Sequence, residues 1–506
     1  MSRLPRRTAI AAAAAAAGAV CIALPGVASA ATPTFTGHVA VPKPIAVPKA
    51  PVNAFMAPAG KSNIHNDTYM SDLYRWAGPL GKNMSVASKG AGGECASITF
   101  NQKGQIVAIC VLPFTSAFLT LMDPNTLKII TQAELPAPPD YPLPSTTSGG
   151  GYTDVAGGYF YLDNTGQAVV STATQHLITY KPVTTRGITF FKVMYDIDLS
   201  SFIGSSADVI QSALPDSNGN IWFATKFGVV GVVNHSPAAD QPHVQVTKLV
   251  GVVPNPLAGQ PDQPAALTEG IGNSFAMDER GGVYIVSTQA MYRFESVNGA
   301  PTATWRTTYD NTNTVKPGQK SAGSGTTPTI IPGNRVAIVD NSDPENVVVY
   351  DNATGAEVCK VPVFGKGASA TENSLISVGN SLITENNYGF ASPATDANKV
   401  VPGMSRIDVS SDGTCVTKWT NTKVVVPSVV SKASSKTGLI YTYTHRKNTS
   451  AWYWTAVDYR SGKEVYSRLV GKGPRFNNSY ASLYVAPNGD GFVGVLPGLV
   501  RVRDGK

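Results

Sequence analysis

Charged residues are scarce in this chain of 506 residues: Asp, Glu, Lys and Arg together make up 14%, the formal net charge is +7, and histidine occurs six times. So mild and dispersed an excess of cations forms no basic stripe, so no nucleic-acid partner is expected. Beyond residue 30 there is no run of eighteen or more apolar residues, so no membrane-spanning helix is expected. The Gly-x-Ser-x-Gly elbow, a supported Ser-x-x-Lys and His-Glu-x-x-His are all missing, which removes the usual signatures of serine and zinc hydrolases. Helical periodicity is hard to find after residue 62. Alternating apolar runs such as those at 220–225, 282–287, 335–340 and 439–444 dominate instead, which predicts a nearly all-β chain.

The first thirty residues read as an export signal. Arg3, Arg6 and Arg7 precede the apolar run 9–24, and Ala28, Ser29 and Ala30 form a small-residue cleavage site. The adjacent Arg6 and Arg7 leave a twin-arginine route open beside ordinary secretion, although Ala9 stands where that route expects a large apolar residue. Val20 before Cys21 argues against a lipoprotein. Cleavage would remove three arginines and no acids, lowering the charge to +4. Residues 31–62, rich in Pro and Ala, read as an extended tether whose loss the fold should tolerate, and 63–506 as the folded domain. The expected location is outside a bacterial cell, secreted or held at its surface, and the expected state is a monomer.

Eight windows recur: 97–104, 159–166, 212–219, 274–281, 327–334, 374–381, 431–438 and 482–489. A hydroxyl residue opens each (Ser97, Tyr159, Ser212, Ser274, Thr327, Ser374, Ser431, Ser482), a strand-like run follows, and a tight polar turn closes it, on Gly except at Asn334 and Ser381. Their starts lie 47 to 62 residues apart. A repeat near 50 residues with several short strands is the mark of a β-propeller blade, which predicts a single eight-bladed propeller with seven blades as the alternative. The first-hairpin turns and the third-to-fourth-strand turns are short and share one face. The connections at 136–151, 254–272, 311–325 and 387–403 are long and share the other, where binding is expected.

The stretches 347–361 (VVVYDNATGAEVCKV) and 454–469 (WTAVDYRSGKEVYSRL) resemble the closing halves of quinoprotein-type propeller repeats, with an Asp-x-x-Thr-Gly-like turn between the outer strands. The stretch 218–233 (NGNIWFATKFGVVGVV) is similar to repeats of bacterial sensor and NHL-like propellers. Pyrroloquinoline-quinone dehydrogenases of this kind carry an adjacent Cys–Cys pair over the cofactor, and this chain has none. The resemblance therefore implies the fold, and neither a quinone nor a nucleotide cofactor is expected.

Residues just ahead of each window should line the mouth of the central channel, because the first strand of a blade is innermost. They are Glu94, Asp154, Gln211, Glu269, Asn273, Glu372 and Asn373. Carboxylate and amide oxygens converging there could hold Ca²⁺ or another divalent cation, which takes six to eight oxygens; Glu94, Glu269, Asn273, Glu372 and Asn373 are the candidate ligands. In residue type the set resembles the metal site of lactonase-type propellers, although any water-filled channel also needs polar walls. Tyr141, Tyr152, Tyr388 and Phe390, in or beside long loops, join Asp154 and Gln211 as candidate ligand-binding residues, by stacking on sugars or clamping a peptide. His235, Asp240 and His243 form a weaker cluster in a Pro-rich loop. The leading function is binding of a small molecule, glycan or protein through the long-loop face. A metal-dependent hydrolase is the alternative, and a quinone oxidoreductase the weakest reading.

Export leaves Cys95, Cys110, Cys359 and Cys415, an even number in an oxidising setting. Cys95 and Cys110 are equidistant from the turn at 102–103, which sets them opposite each other in a hairpin. Cys359 and Cys415 fall in outer strands of the fifth and sixth blades and would pair if those strands approach. The chain ends one strand short of a complete last blade. Because 71–81 resembles the outer strand at 464–473, residues 72–77 are expected to complete the final blade and join both termini in one sheet, which would remove an exposed edge strand.

Overall fold

In the computed structural model eight four-stranded antiparallel blades succeed one another around an axis, with innermost strands Glu94–Phe100, Tyr161–Leu162, Ile210–Pro215, Ala276–Met277, Thr329–Ile331, Ile376–Val378, Lys432–Ser434 and Leu483–Val485. Every one overlaps a predicted window, and eight blades are present rather than seven. The structure describes residues 32–112, 116–137, 158–236, 243–254, 266–391 and 397–506, and Thr34–Lys506 form one unit. The segment expected to be an export signal lies outside the described residues.

The window turns form locally. Asp216 accepts the amides of Asn218 and Asn220 at 2.8 and 3.0 Å, and Asp163, Asp278 and Asn101 do the same two and four residues on. The residue that follows must take a left-handed backbone. Gly219 has φ +87°, and Asn334, the substitute in the fifth blade, has φ +57°. In the sixth blade Val378 pairs directly with Ser381 across a two-residue turn, so the special position moves to Gly379.

Blades lock through their outer strands. Trp305 of the fourth blade donates to the Asn352 carbonyl of the fifth at 2.9 Å, and Trp419 of the sixth donates to that of Tyr459 in the seventh at 2.9 Å. Each indole covers the glycine of the neighbouring Asp-x-x-x-Gly turn. A Cβ on Gly355 would sit 2.6 Å from Trp305, and one on Gly462 would sit 2.4 Å from Trp419. The turn that resembles quinoprotein repeats is thus a docking point between blades. The repeated hydroxyls play the matching part near the axis: Ser212 bonds Ser274 at 2.8 Å, and Ser374 accepts the Thr327 amide at 3.1 Å.

Both expected disulfides are present. Cys95 and Cys110 face each other in the first hairpin with Cα atoms 3.8 Å apart, and Cys359 joins Cys415 across two outermost strands at 6.0 Å.

The ring is closed by an N-terminal strand, but not by the predicted one. Ser85–Gly90 pairs antiparallel with Gly498–Arg503 and completes the eighth blade. Residues 72–77 lie instead at the axis, where Leu73–Tyr74 pairs in parallel with Lys432–Ser434 of the seventh blade. They belong to a longer inner segment. The carbonyls of Ser62, Thr68, Tyr69, Ser71, Asp72 and Tyr74 accept amides of Leu162, Met277, Ile330, Ser377, Ala433 and Ser435 at 2.7–3.0 Å, and the Trp76 indole donates to Val485. Residues 62–76 therefore run around the inside of the ring and satisfy the inner-strand amides of the second, fourth, fifth, sixth and seventh blades.

The stretch expected to be a tether differs from that expectation from Thr34 onward. Phe35–Gly37 adds a strand to the outer edge of the seventh blade, Lys43 and Ile45 donate to its first-hairpin turn, and Asn53 bonds the Pro215 carbonyl at 2.8 Å. Phe55 packs on Gly219, whose missing side chain makes room for the ring. The contacts of Lys43, Ile45, Asn53 and Phe55 lie at the short first-hairpin turns.

Candidate functional site

The axial segment carries a buried ionic cluster. Lys432 donates to Asp72 and to the Ile64 carbonyl, and His65 Nδ1 lies 3.1 Å from both Asp72 oxygens, with all three side chains at most 2% exposed. His65 Nε2 lies 3.3 Å from Thr327 Oγ1 and 3.5 Å from Ser374 Oγ. The order carboxylate, imidazole, hydroxyl has the outline of a nucleophilic triad. However, Lys432 neutralises the carboxylate, and both hydroxyl residues are buried. The cluster holds the axis together; burial keeps His65 below the usual imidazole range and pushes Lys432 down.

Above the axial segment, on the long-loop face, lies a cavity of about 380 Å³. Ile64 from the axial segment and Tyr159 from the second blade contribute to its base. Gln211, Gly272 and Asn273 contribute from the third and fourth blades, Lys320 and Ser321 from a long loop, and Glu372, Ser479 and Tyr480 from the sixth blade and the approach to the eighth. Tyr159 donates to Asn273 Oδ1 at 3.0 Å and stacks over His65, so the lining is tied to the buried cluster below.

Tyr480 is the most constrained of these residues. Its φ of +62° is unusual for a bulky side chain and costs of order 1–3 kcal/mol. Neighbours on every side hold it there: its hydroxyl donates to the Gly318 carbonyl at 3.0 Å, Phe390 packs edge-on at 5.4 Å, and the Lys320 ammonium sits 4.1 Å from its ring centre.

Two carboxyls stand at the mouth. Glu94 accepts the Ser479 amide at 2.7 Å, and Glu372 accepts the Lys320 amide at 3.1 Å. Burial pushes both up to about 7, and the Lys320 charge opposes the rise in each. Asp67, Glu345 and Glu385 are also raised by burial, to about 6, 8 and 7. A carboxyl whose folded pKa exceeds its unfolded value contributes stability that is full below the unfolded pKa and is lost as pH rises through the folded one. These five groups outnumber His65 and Lys432, which act in the opposite sense. The thermal midpoint is therefore expected to rise when pH falls from about 8 to about 5.5. A midpoint that falls over that interval contradicts the burial of these carboxyls.

The structure brings together only some of the predicted residues. Gln211, Asn273 and Glu372 line the cavity, and Glu94 lies behind Ser479. Glu269 is turned into the fourth blade, where it accepts from Ser287 and Tyr292 and pairs with Arg306 at 3.2 Å. Asn373 bridges Glu385 and the Val429 carbonyl, both at 2.8 Å. The five proposed cation ligands do not converge, and Lys320 already acts on the two carboxylates that remain. Among the described residues no group of three His, Cys, Asp or Glu side chains is placed to hold a metal. This donor set does not fit a tightly held divalent ion. Phe390 is buried behind Tyr480 rather than presented to a ligand, and Tyr388 is half-buried in the adjoining loop. Tyr141, Tyr152, Asp154 and Asp240 lie outside the described residues. Tyr159 and Tyr480 went unrecognised in the sequence, although Tyr159 is the one aromatic residue among the eight window openers.

Comparison with known proteins agrees with this architecture. The two component regulator propeller family matches residues 204–227, the inner hairpin of the third blade. An uncharacterized protein of Archaeoglobus fulgidus is 26% identical over 320 residues, which is 56% of this chain and 59% of that protein. Among solved structures, quinohemoprotein alcohol dehydrogenase from Comamonas testosteroni superposes with a TM-score of 0.54 at 11% identity, covering 90% of this chain and 82% of the enzyme. A europium-containing methanol dehydrogenase gives 0.52 at 11% identity, covering 87% and 89%. At such identities the likeness is one of fold, and this chain has the eight-bladed fold of the quinoprotein-type propellers.

Proposed function

We propose that this is an exported binding propeller that takes a small hydroxylated molecule, of the size of a simple sugar, into the axial cavity of its long-loop face. The observation that carries this reading is Tyr480, an aromatic side chain held in a costly backbone conformation by three neighbours at the wall of a cavity of about 380 Å³. That size lies within the usual range of small-ligand pockets. Tyr480 and Tyr159 supply aromatic walls, and Gln211, Asn273 and Glu372 supply polar groups to the same cavity. Two disulfides fit an oxidising compartment outside the cytoplasm.

Thermal-shift titration with a panel of mono- and disaccharides tests the reading. A ligand at about a hundred times its Kd adds about 2.7 kcal/mol of stability, which is a shift of several degrees. We expect at least one sugar to raise the wild-type midpoint and to leave Tyr480→Ala unmoved. A wild-type midpoint that none of them moves, or an equal shift in Tyr480→Ala, contradicts the proposal.

A further inference from the structure

The outer hairpin of the second blade, His176–Thr185 and Ile188–Asp198, extends past its own sheet. The next strand inward pairs only with Leu177–Tyr180, so from Lys181 to Phe191 the hairpin is a two-stranded ribbon. Its register sets Lys181 opposite Lys192, Val183 opposite Phe190 and Thr185 opposite Ile188, which puts these six side chains on one face. A register shift after Thr179 brings Tyr195 to that same face. Ile188, Phe190 and Tyr195 are 69%, 43% and 66% exposed. The opposite face is partly packed: Phe191 lies edge-on to buried Tyr180, and Pro182 and Thr184 line a cleft against the first blade that the Lys181 side chain also borders, while Val193 is 48% exposed.

The charge on this ribbon has one sign. Lys181, Arg186 and Lys192 fall between residues 181 and 195, where there is no acid, and Asp196 at the base is bonded to His176 at 2.6 Å. Large apolar side chains flanked by cations on a projecting ribbon match the two demands of an anionic lipid surface, apolar contact at the headgroup boundary and attraction to phosphate. The long lysine and arginine stems let their charges stay with the headgroups while Ile188 and Phe190 enter more deeply. We propose that the ribbon docks the propeller on an anionic bilayer surface, independently of the axial cavity.

Co-sedimentation with vesicles tests this, using the protein without residues 1–30, whose apolar run would bind lipid by itself. We expect binding to vesicles rich in phosphatidylglycerol, and weak or no binding to pure phosphatidylcholine. Ile188→Ser with Phe190→Ser should abolish binding, and each of Lys181→Gln, Arg186→Gln and Lys192→Gln should weaken it about fivefold, with added salt acting likewise. These positions are exposed, so the thermal midpoint should hold and show that each variant is folded. No binding to the anionic vesicles, or equal binding by wild type and the Ile188/Phe190 double variant, overturns the proposal. So does a lipid-free dimer that the double variant dissociates, because the face would then belong to a second copy of the chain.

Discussion

Removal of residues 32–76, with the ring-closing strand Ser85–Gly90 retained, is expected to leave a chain that does not fold. Six inner-strand amides donate to carbonyls of this stretch, and deletion would strand them inside the ring. A buried donor left without a partner costs about 1–3 kcal/mol, so six approach or exceed the 5–15 kcal/mol by which domains are usually stable. The apolar contacts of Leu73 and Tyr74 with the sixth- and seventh-blade core would be lost as well. Removal of residues 32–38 alone uncovers only the outer edge of the seventh blade and should leave a folded, somewhat less stable protein. Expression of both truncations, followed by circular dichroism and chemical unfolding, separates them. A soluble protein beginning at residue 77 with the wild-type midpoint would mean that the axis does not need the segment.

The second large effect is expected at the ion pair inside that axis. Lys432→Met leaves the fully buried Asp72 without its ammonium partner, and Asp72→Asn leaves that ammonium buried without its carboxylate. Breaking one side of such a pair typically costs 3–5 kcal/mol, whereas replacing both partners costs far less. Each single variant should therefore lose about 3–5 kcal/mol by urea unfolding, and the double variant should recover much of it. The coupling would be large and opposite in sign to the single losses. Losses below about 1 kcal/mol in both single variants would show that water reaches the pair.

How much of this could be read from the sequence follows from the range of the interactions involved. Asp216 bonds amides two and four residues away, and Gly219 takes the backbone that the turn requires; both belong to one short window, so the window recurs and the eight inner strands are legible. Ring closure depends on partners more than 400 residues apart. The pattern at 71–81 resembled an outer strand, yet the chain that pairs with Gly498–Arg503 is the short polar stretch Ser85–Gly90. The inner segment was harder still. Ser62, Thr68 and Ser71 act through their carbonyls, which every residue has, so no periodicity marks them and the stretch before them reads as a tether.

The site was legible to the same depth. Counting back from each window placed Gln211, Asn273 and Glu372 at the channel mouth, because distance along an inner strand fixes height on the axis. Orientation was not fixed by that count. Glu269 occupies a comparable position and turns away because Arg306, on the outermost strand of the same blade, is there to pair with it. Tyr480 lies two residues ahead of a window with nothing in the sequence to mark it, since its left-handed backbone and its hold on Gly318 exist only in the folded ring.

The claim on which the rest depends is that residues 62–76 form the permanent inner lining of the ring and the base of the cavity above it. Amide hydrogen exchange of the native protein tests it most directly, at Leu162, Met277, Ile330, Ser377, Ala433 and Ser435, whose amides all donate to that segment. These amides are expected to exchange as slowly as the central-strand amides of their own blades, opening only with the whole domain. Fast exchange at these six positions, with the central strands still protected, would show that the segment leaves the axis while the propeller stays folded, and would contradict the account.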